Sequence, residues 1–598
     1  MLFFIYILTL ISIGINIVPM KVQIPNLMPL VKVAFFLIGL CLSCKKNIST
    51  ESTRFKQIGT NIIQDNEEGF FLDDWIPKSF LKPQYIEGNK IMDNSSVQIY
   101  VESDNPTNKV SRYIYGNNVN PYMTQIITEP ILMDQITKLS PNVIRFPGGG
   151  IADLFFWNAE KNHVPNDVPE KLFNLLQSST AIKTGFWYGR NQESWTLSLD
   201  NYYKMLSQTS SKGIITVNYG YARYGTGTNP VTNAAHYAAE WVRYDNGRTK
   251  FWEIGNESFG EWMQSYKIDV LKNKDGQSEL ISGELYGRHF TIFADSMRKA
   301  AAEVGSRIKI GLQLIEHDAS STNNAVYKHW NNGVLSKVKD GADFFIVHNY
   351  YTPYKENSTI STILNSGTIS SEEVMNYLKL VTKTNDVKMK PVALTEWNIF
   401  AEGSKQQVSQ IAGLHAVIVL GELMKNRYGL ANRWNFANNY DNGNDHGMFS
   451  QGDEAEGVER WTPRPSFYYM YYFQKCFGDR IVPSKLVGSS EILCYSSKFS
   501  SGEAGIILLN KGLKNTVCEI TVHGFNPETR YYYYILSGEQ TNNGYSKKLY
   551  INNIGPNGPS GGPKGYDKVK AFSLTGQETL KIAVPPLSAV FLITEVKL

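Results

Sequence analysis

The chain has too few cysteines to be held together by them. Only five occur in 598 residues, at Cys41, Cys44, Cys476, Cys494 and Cys518. The first two fall in an amino-terminal apolar segment, which leaves an odd number for the body and no disulfide framework. Cys41 and Cys44 have the spacing of a metal-binding pair, but no second pair exists to complete a zinc site. Cys494 and Cys518 sit in strand-like runs and read as small buried hydrophobes. An excess of one charge is also lacking. The net +4 is spread along the sequence with no long basic run, which argues against a nucleic-acid partner. Neither an internal repeat nor a heptad pattern is present, so a solenoid or coiled coil is not expected. Aromatic residues, in contrast, are plentiful: 13% of the chain, with 35 Tyr and 11 Trp. Sugars present flat apolar C–H faces that such rings suit, but rings also fill cores, and composition does not separate the two uses.

The amino terminus carries its own signals. Residues 1–19 are mostly apolar, and Lys21 and Lys32 precede a second apolar run, Val33 to Leu40. That run ends at Cys41-Leu42-Ser43-Cys44, followed by Lys45-Lys46. A basic flank, a short apolar stretch and a small residue before the cut describe a signal peptide. The cysteine just after the cut, Cys44, resembles the lipidation site of bacterial lipoproteins, although Cys41 stands where Leu is usual. Translation from Met20 or Met28 gives a signal of ordinary length. The alternative is a membrane-spanning helix, for which the first apolar run is long enough and the second is not. Residues 1–44 are thus expected to be a signal and 45–95 a polar tether with a wrapping segment around Phe70, Phe71, Leu72 and Trp75. The expected location is the bacterial cell surface or periplasmic face, on a lipid anchor.

Beyond residue 95 the pattern alternates. Strand-like runs at 113–116, 142–146, 213–219, 251–257, 308–314, 343–349, 391–396 and 430–435 flank helical patterns at 231–244, 284–304, 371–382 and 407–427. Alternation of this kind predicts βα units and a parallel sheet, and eight strands suffice for a closed (β/α)8 TIM barrel over 96–475. After residue 476 short strands separated by turn clusters predict an antiparallel β-sandwich, which the run at 97–101 joins. The Gly- and Pro-rich stretch 552–563 reads as a loop.

Two of the runs end in a carboxylate: Phe251 to Glu257, closing on Gly255-Asn256-Glu257, and Pro391 to Glu396, continuing Trp397-Asn398. The C-terminal strand ends of a barrel ring its active site, so these glutamates are expected to converge. Two convergent carboxylates are what glycoside hydrolysis requires. The Gly-Asn-Glu and Thr-Glu-Trp-Asn segments resemble the acid/base and nucleophile signatures of clan A retaining glycoside hydrolases, and most of all the family 51 α-L-arabinofuranosidases. Supporting segments are Val143 to Gly149, Val217 to Gly220, Ala239 to Tyr244 and Val347 to Tyr351. The resemblance spans about residues 96–598.

It implies Glu257 as general acid/base, Glu396 as nucleophile and Asn256 as a ligand of the sugar 2-hydroxyl. Arg145 would lie beside the nucleophile and keep it ionised, or form a structural ion pair under the mouth. His348 and Tyr350 are expected to orient Glu396 and substrate. Trp397 and Trp434 are either sugar platforms or core. His446 lies in a loop that could bring it to substrate. Glu253 shares a strand face with Glu257 by period two and lies deeper. No metal or organic cofactor is implied. The expected partner is a plant or algal polysaccharide or its oligosaccharides, with α-L-arabinofuranoside the first choice. The rivals are an endo-acting galactan- or agar-type hydrolase and a non-catalytic carbohydrate-binding lipoprotein.

Overall fold

The computed structural model describes residues 67–440, 446–524, 529–539, 541, 544–576 and 579–595. Cys44, the rest of the signal-like segment and the tether up to residue 66 lie outside the described residues. Eight strands close into a barrel: β1 (Gly116–Asn118), β2 (Val143–Phe146), β3 (Lys212–Val217), β4 (Phe251–Ile254), β5 (Lys309–Gln313), β6 (Phe344–Asn349), β7 (Val392–Trp397) and β8 (Leu430–Arg433). Every neighbouring pair is parallel, and β1 joins β8 to β2. Each strand leads to a helix, the eight being Pro130–Leu139, Leu199–Thr209, Pro230–Asp245, Gly283–Glu303, Ala325–Val338, Ile360–Thr384, Gln410–Lys425 and Pro465–Cys476. Three of these helices carry Pro in their first turn, where its missing N–H costs nothing. Three others start at Ser282, Asn324 and Thr359, whose side chains accept the N–H of Leu285, Tyr327 and Thr362.

The first strand begins later than its sequence suggests. Arg112–Ile114 form a 3-10 turn, with Ser111 Oγ accepting the Tyr113 N–H at 3.3 Å. Pairing starts only at Gly116. The sixth helix is longer than its apolar pattern, because the Thr359 cap sets its start upstream of residue 371.

Side-chain alternation divides the barrel interior into two zones. Val143, Ile214, Phe251, Phe344, Ala393 and Leu430 form an apolar cluster at the bottom, joined by Phe71 and Tyr113. Two residues further along, the inward positions turn polar: Arg145 on β2, Thr216 on β3 and Glu253 on β4. The outward positions, such as Ile144, Trp252 and Leu394, pack against the helices. Phe71, from the short 3-10 helix Gly69–Leu72, is fully buried under the barrel. Its ring centroid lies 5.1 Å from Phe251, 5.5 Å from Phe344 and 6.4 Å from Tyr113.

Beside the barrel a nine-stranded sheet and a four-stranded sheet face each other across an apolar core. Val97–Val101 lies in the smaller sheet, parallel to Thr516–Val522. Cys476, Cys494 and Cys518 are free thiols, and burial pushes each up to about 12.

Phe71 closes the barrel end at which the strands begin, so truncation leaves a cavity that the surrounding strands cannot collapse into. Phe71→Ala is expected to destabilise the protein by about 3–5 kcal/mol. Urea denaturation measures this, and a loss below about 1 kcal/mol would mean the plug is not part of the core.

Candidate active site

The upper, polar zone of the barrel is organised around one buried cation. Arg145 Nε donates to Glu253 Oε2 at 2.6 Å, and one terminal nitrogen donates to Glu396 Oε1 at 2.7 Å and to Asn118 Oδ1 at 3.1 Å. The other donates to Asn256 Oδ1 at 2.8 Å. Four strands, β1, β2, β4 and β7, thereby place side chains or their end residues on one guanidinium. Burial disfavours this charge, but Glu253 and Glu396 more than offset that and raise its pKa. Glu253 also accepts from Thr216 Oγ1 at 2.7 Å. It lies beneath the mouth, as its strand position implies.

Glu396 is 3% exposed. Its Oε1 accepts the Arg145 guanidinium and the Gly149 N–H at 3.2 Å, and its Oε2 accepts the Tyr350 hydroxyl at 2.8 Å. An irregularity in β7 makes this possible. Leu394 pairs with Val347 but Glu396 with His348, so one extra residue enters at Thr395. The same shift recurs against β8, between Leu394 and Trp397. A bulge re-aims the side chains that follow it. Here Thr395 and Glu396 both serve the site: Thr395 O accepts from Asn118 Nδ2 at 2.9 Å, and Thr395 Oγ1 lies 3.0 Å from His348 Nε2.

Glu257 arrives by a sharper turn. β4 stops at Ile254, then Gly255 takes φ +71° and Glu257 φ +39°. Gly255 is required there, because a Cβ would stand 2.7 Å from Tyr219 Cβ. A glutamate at positive φ is a strained conformation held by its surroundings. Gln313 from β5 supplies that hold, accepting Ser258 N–H at 2.7 Å while donating to Ile254 O and Ser258 Oγ, both at 3.0 Å. Glu257 Oε1 lies 2.7 Å from His348 Nδ1, and Oε2 accepts the Trp262 indole N–H at 2.7 Å.

His348 stands between the two carboxylates, with Nδ1 3.8 Å from Glu396 Oε2. Burial works against its cation, yet Glu396 and Glu257 outweigh burial and raise its pKa. Burial, followed by the Glu396 charge, pushes the Tyr350 phenol well above its ordinary range, so it stays a hydrogen-bond donor. One donor atom each from Glu257, His348 and Glu396 lie within 4.8 Å of one another. These three are the side chains that could hold a metal ion among the described residues.

Seven of the sequence-derived candidates converge here: Glu257, Glu396, Asn256, Arg145, His348, Tyr350 and Trp434. Trp434 is half-buried with its ring on the Gly148–Gly149 turn, where a Cβ on Gly149 would meet it at 2.5 Å. Trp397 does not take part as a platform. The β7 bulge turns it outward into the layer between barrel and helices, where it is 1% exposed. His446 is 2% exposed, with its ring centroid 5.3 Å from Tyr350 in a tilted contact and 5.6 Å from Phe400 edge to face, so it supports the wall behind Tyr350.

Asn118, Gln313 and Trp262 were not marked by the sequence: the first two are neutral residues at the ends of β1 and β5, and Trp262 lies in a loop without a repeating pattern. Asp153 belongs with them. Fully buried, it accepts Gly220 N–H at 3.0 Å and Ser265 N–H at 2.8 Å, tying together the loops after β2, β3 and β4. Burial raises its carboxyl to about 6 against those bonds and the Arg223 charge.

No protein-family model matches the chain. An intracellular exo-α-(1→5)-L-arabinofuranosidase of Acetivibrio thermocellus is 20% identical over 294 residues, 46% of this chain. The match spans about half the length of that relative, 50%. Among solved structures, an α-L-arabinofuranosidase of Thermotoga maritima in complex with arabinose aligns at TM-score 0.58 and 16% identity, covering 84% of this chain and all (100%) of that one. A family 44 xyloglucanase of Paenibacillus polymyxa with xyloglucan aligns at TM-score 0.53 and 12% identity, with 84% and 100% covered. At these identities the likeness is one of fold: the chain shares its TIM-barrel fold with structural neighbours that include family 51 arabinofuranosidases and a family 44 xyloglucanase.

Proposed function

We propose that this protein is a retaining glycoside hydrolase of the α-L-arabinofuranosidase type, acting on a plant or algal polysaccharide or its oligosaccharides. The observation that carries the reading is the pair Glu257 and Glu396, with carboxylate oxygens within 4.8 Å at the mouth of a closed barrel. Retaining enzymes hold their carboxyl groups about 5–5.5 Å apart, and inverting ones leave room for a water between them.

In the first step Glu257, in its acid form, protonates the glycosidic oxygen as the bond to the anomeric carbon breaks. A Glu396 oxygen attacks that carbon, giving a glycosyl ester and a free leaving-group alcohol. Oε2 suits the attack better, because it carries one neutral donor while Oε1 carries the guanidinium and an amide. In the second step Glu257 takes a proton from water, the resulting hydroxide displaces the ester, and Glu396 leaves as carboxylate. Two displacements return the original anomeric configuration. Arg145 occupies Asn256 Oδ1 and Met263 Sδ takes one amide hydrogen at 3.8 Å, which leaves the second N–H of Asn256 for the sugar 2-hydroxyl.

The arabinofuranosidase assignment within this chemistry is supported by the relatives' own activities and by the ordered set of strand-end motifs. The non-catalytic reading loses its ground because both carboxylates are present and supported.

The roles separate kinetically. Glu396→Ala should abolish turnover of every glycoside. Glu257→Ala should lose about 10²–10⁴-fold on substrates whose leaving group needs a proton, and much less on aryl glycosides with acidic phenols. Azide should restore the Glu257→Ala rate by attacking the glycosyl ester. Equal losses in both variants, without azide rescue, would refute the division of roles.

Export and lipid anchoring are proposed on the sequence alone, from the apolar run Val33 to Ser43 ending at Cys44 between lysines. Acyl chains contribute about 0.8 kcal/mol per buried CH₂. Cys44→Ser should move the protein out of the lipid fraction or leave its signal uncleaved. Unchanged processing and membrane attachment in that variant would place the anchor elsewhere.

A further inference from the structure

The chain has 11 tryptophans, and those left exposed, Trp195 at 52% and Trp262 at 37%, both stand on loops of the catalytic mouth. Trp262 belongs to the leaving-group side, because its indole N–H is bonded to the acid/base candidate Glu257. Trp195 lies on the other side, at the end of a row of rings that starts beside the nucleophile. Glu396 accepts from Gly149, and Trp434 covers that turn. The next residue, Asn435, donates to Tyr122 Oη at 2.8 Å and to Asn120 Oδ1 at 2.9 Å. Tyr122 lies 6.2 Å from Trp187, and Trp187 lies 5.8 Å from Trp195, centroid to centroid.

An exposed tryptophan on a floppy loop would fold its ring away from water. This one is prevented from doing so by a buried polar hub. Gln125, 5% exposed, donates to Asn191 O at 3.2 Å and Glu193 O at 3.0 Å. Its Oε1 accepts Ser198 N–H, Ser198 Oγ–H and Asn201 Nδ2–H at 3.1, 3.0 and 2.7 Å. Thr124 N–H donates to Trp195 O at 3.2 Å, and Leu197 N–H to Pro121 O at 2.8 Å. The segment 191–198 is thus fixed to the loop after β1, with the Trp195 ring held in solvent. Pre-organised aromatic faces bind a ligand without a further ordering cost.

We propose that Tyr122, Trp187 and Trp195 form a binding strip for sugar units on the non-reducing side of the cleaved bond, so that the enzyme cuts within a chain. The inference rests on the glycosidase reading of Glu257 and Glu396, and it replaces the terminal-sugar release that the arabinofuranosidase assignment alone implies with cleavage inside the chain. The reacting sugar sits over Glu396 and the leaving group over Glu257, so rings continuing from the Glu396 side meet the glycone end of the chain. Trp262, bonded to Glu257, adds a further exposed ring on the leaving-group side. Successive ring planes turn by 63° and 68°. A chain following them must rotate between units, which suits flexible, twisted linkages and not a flat two-fold ribbon.

The test uses the full chain and reducing-end-labelled arabinan, galactan and xylan oligosaccharides of two to six units, alongside an aryl monoglycoside. The expected result is a rise in kcat/KM with chain length and early products that carry more than one sugar from the non-reducing end. Trp195→Ala should lower kcat/KM on the longest responsive oligosaccharide on the order of tenfold more than on the monoglycoside. Trp195→Phe, which keeps a ring, should recover most of that difference. A length-independent rate releasing single terminal sugars, with equal losses on both substrates, overturns the strip and leaves the glycosidase reading standing. Absence of any Glu396-dependent turnover overturns the glycosidase reading instead. In that case tryptophan-fluorescence titration of Glu396→Ala with the same oligosaccharides decides the strip, since no Trp195-dependent response would remove it.

Discussion

The buried guanidinium of Arg145 is the contact on which the rest of the site depends. It has no exposed surface, and its donors reach Glu253, Glu396, Asn118 and Asn256. Taking one such charge out of water costs several kcal/mol, and the geometry must return that through paired contacts. Any change to Arg145 therefore strands two carboxylates as well as a cation's cavity. The planar fork of an arginine, unlike a lysine ammonium, can hold partners from three other strands at fixed angles. The nucleophile candidate, the residue before the acid/base candidate and the deeper Glu253 are thereby set in one frame.

That frame is separated from what stabilises the barrel. Below it, Phe71, Phe251, Phe344 and their neighbours make an apolar plug. Above it, the upper inward positions are polar and mutually bonded, which is the usual division between the stability face and the catalytic face of this barrel. Two irregularities deliver the candidate catalytic carboxylates into the upper zone. One is the extra residue in β7, and the other is the left-handed Glu257 after Gly255. The second holds Glu257 at a positive φ, and both are fixed by side-chain bonds from other strands, through His348 and Asn118 in one case and Gln313 in the other.

The barrel was legible in the sequence because parallel strands are buried on both faces and so read as apolar runs between amphipathic helices. The strand-end Glu257, Glu396, Arg145, His348 and Tyr350 were legible for the same reason, as polar residues that terminate apolar runs. What failed was whatever depends on geometry finer than periodicity. The first strand shifted because Ser111 nucleates a turn over Arg112–Ile114. The choice between platform and core for Trp397 was not legible, because one inserted residue in β7 reverses the alternation after it and puts the ring in the core. Trp262 and Gln125 lie in long loops, where contacts come from residues distant in sequence and no repeating pattern marks them.

The proposed division of labour at the centre reduces to one covalent bond, between Glu396 and the anomeric carbon. The direct measurement is mass spectrometry of the protein after incubation with a slow fluorinated analogue of a glycoside that it turns over. A mass increase of one glycosyl unit, located on the peptide carrying Glu396 and absent from Glu396→Ala, is the result expected. An active protein that gives no adduct and releases product of inverted configuration, or that carries the sugar on another side chain, would contradict the assignment.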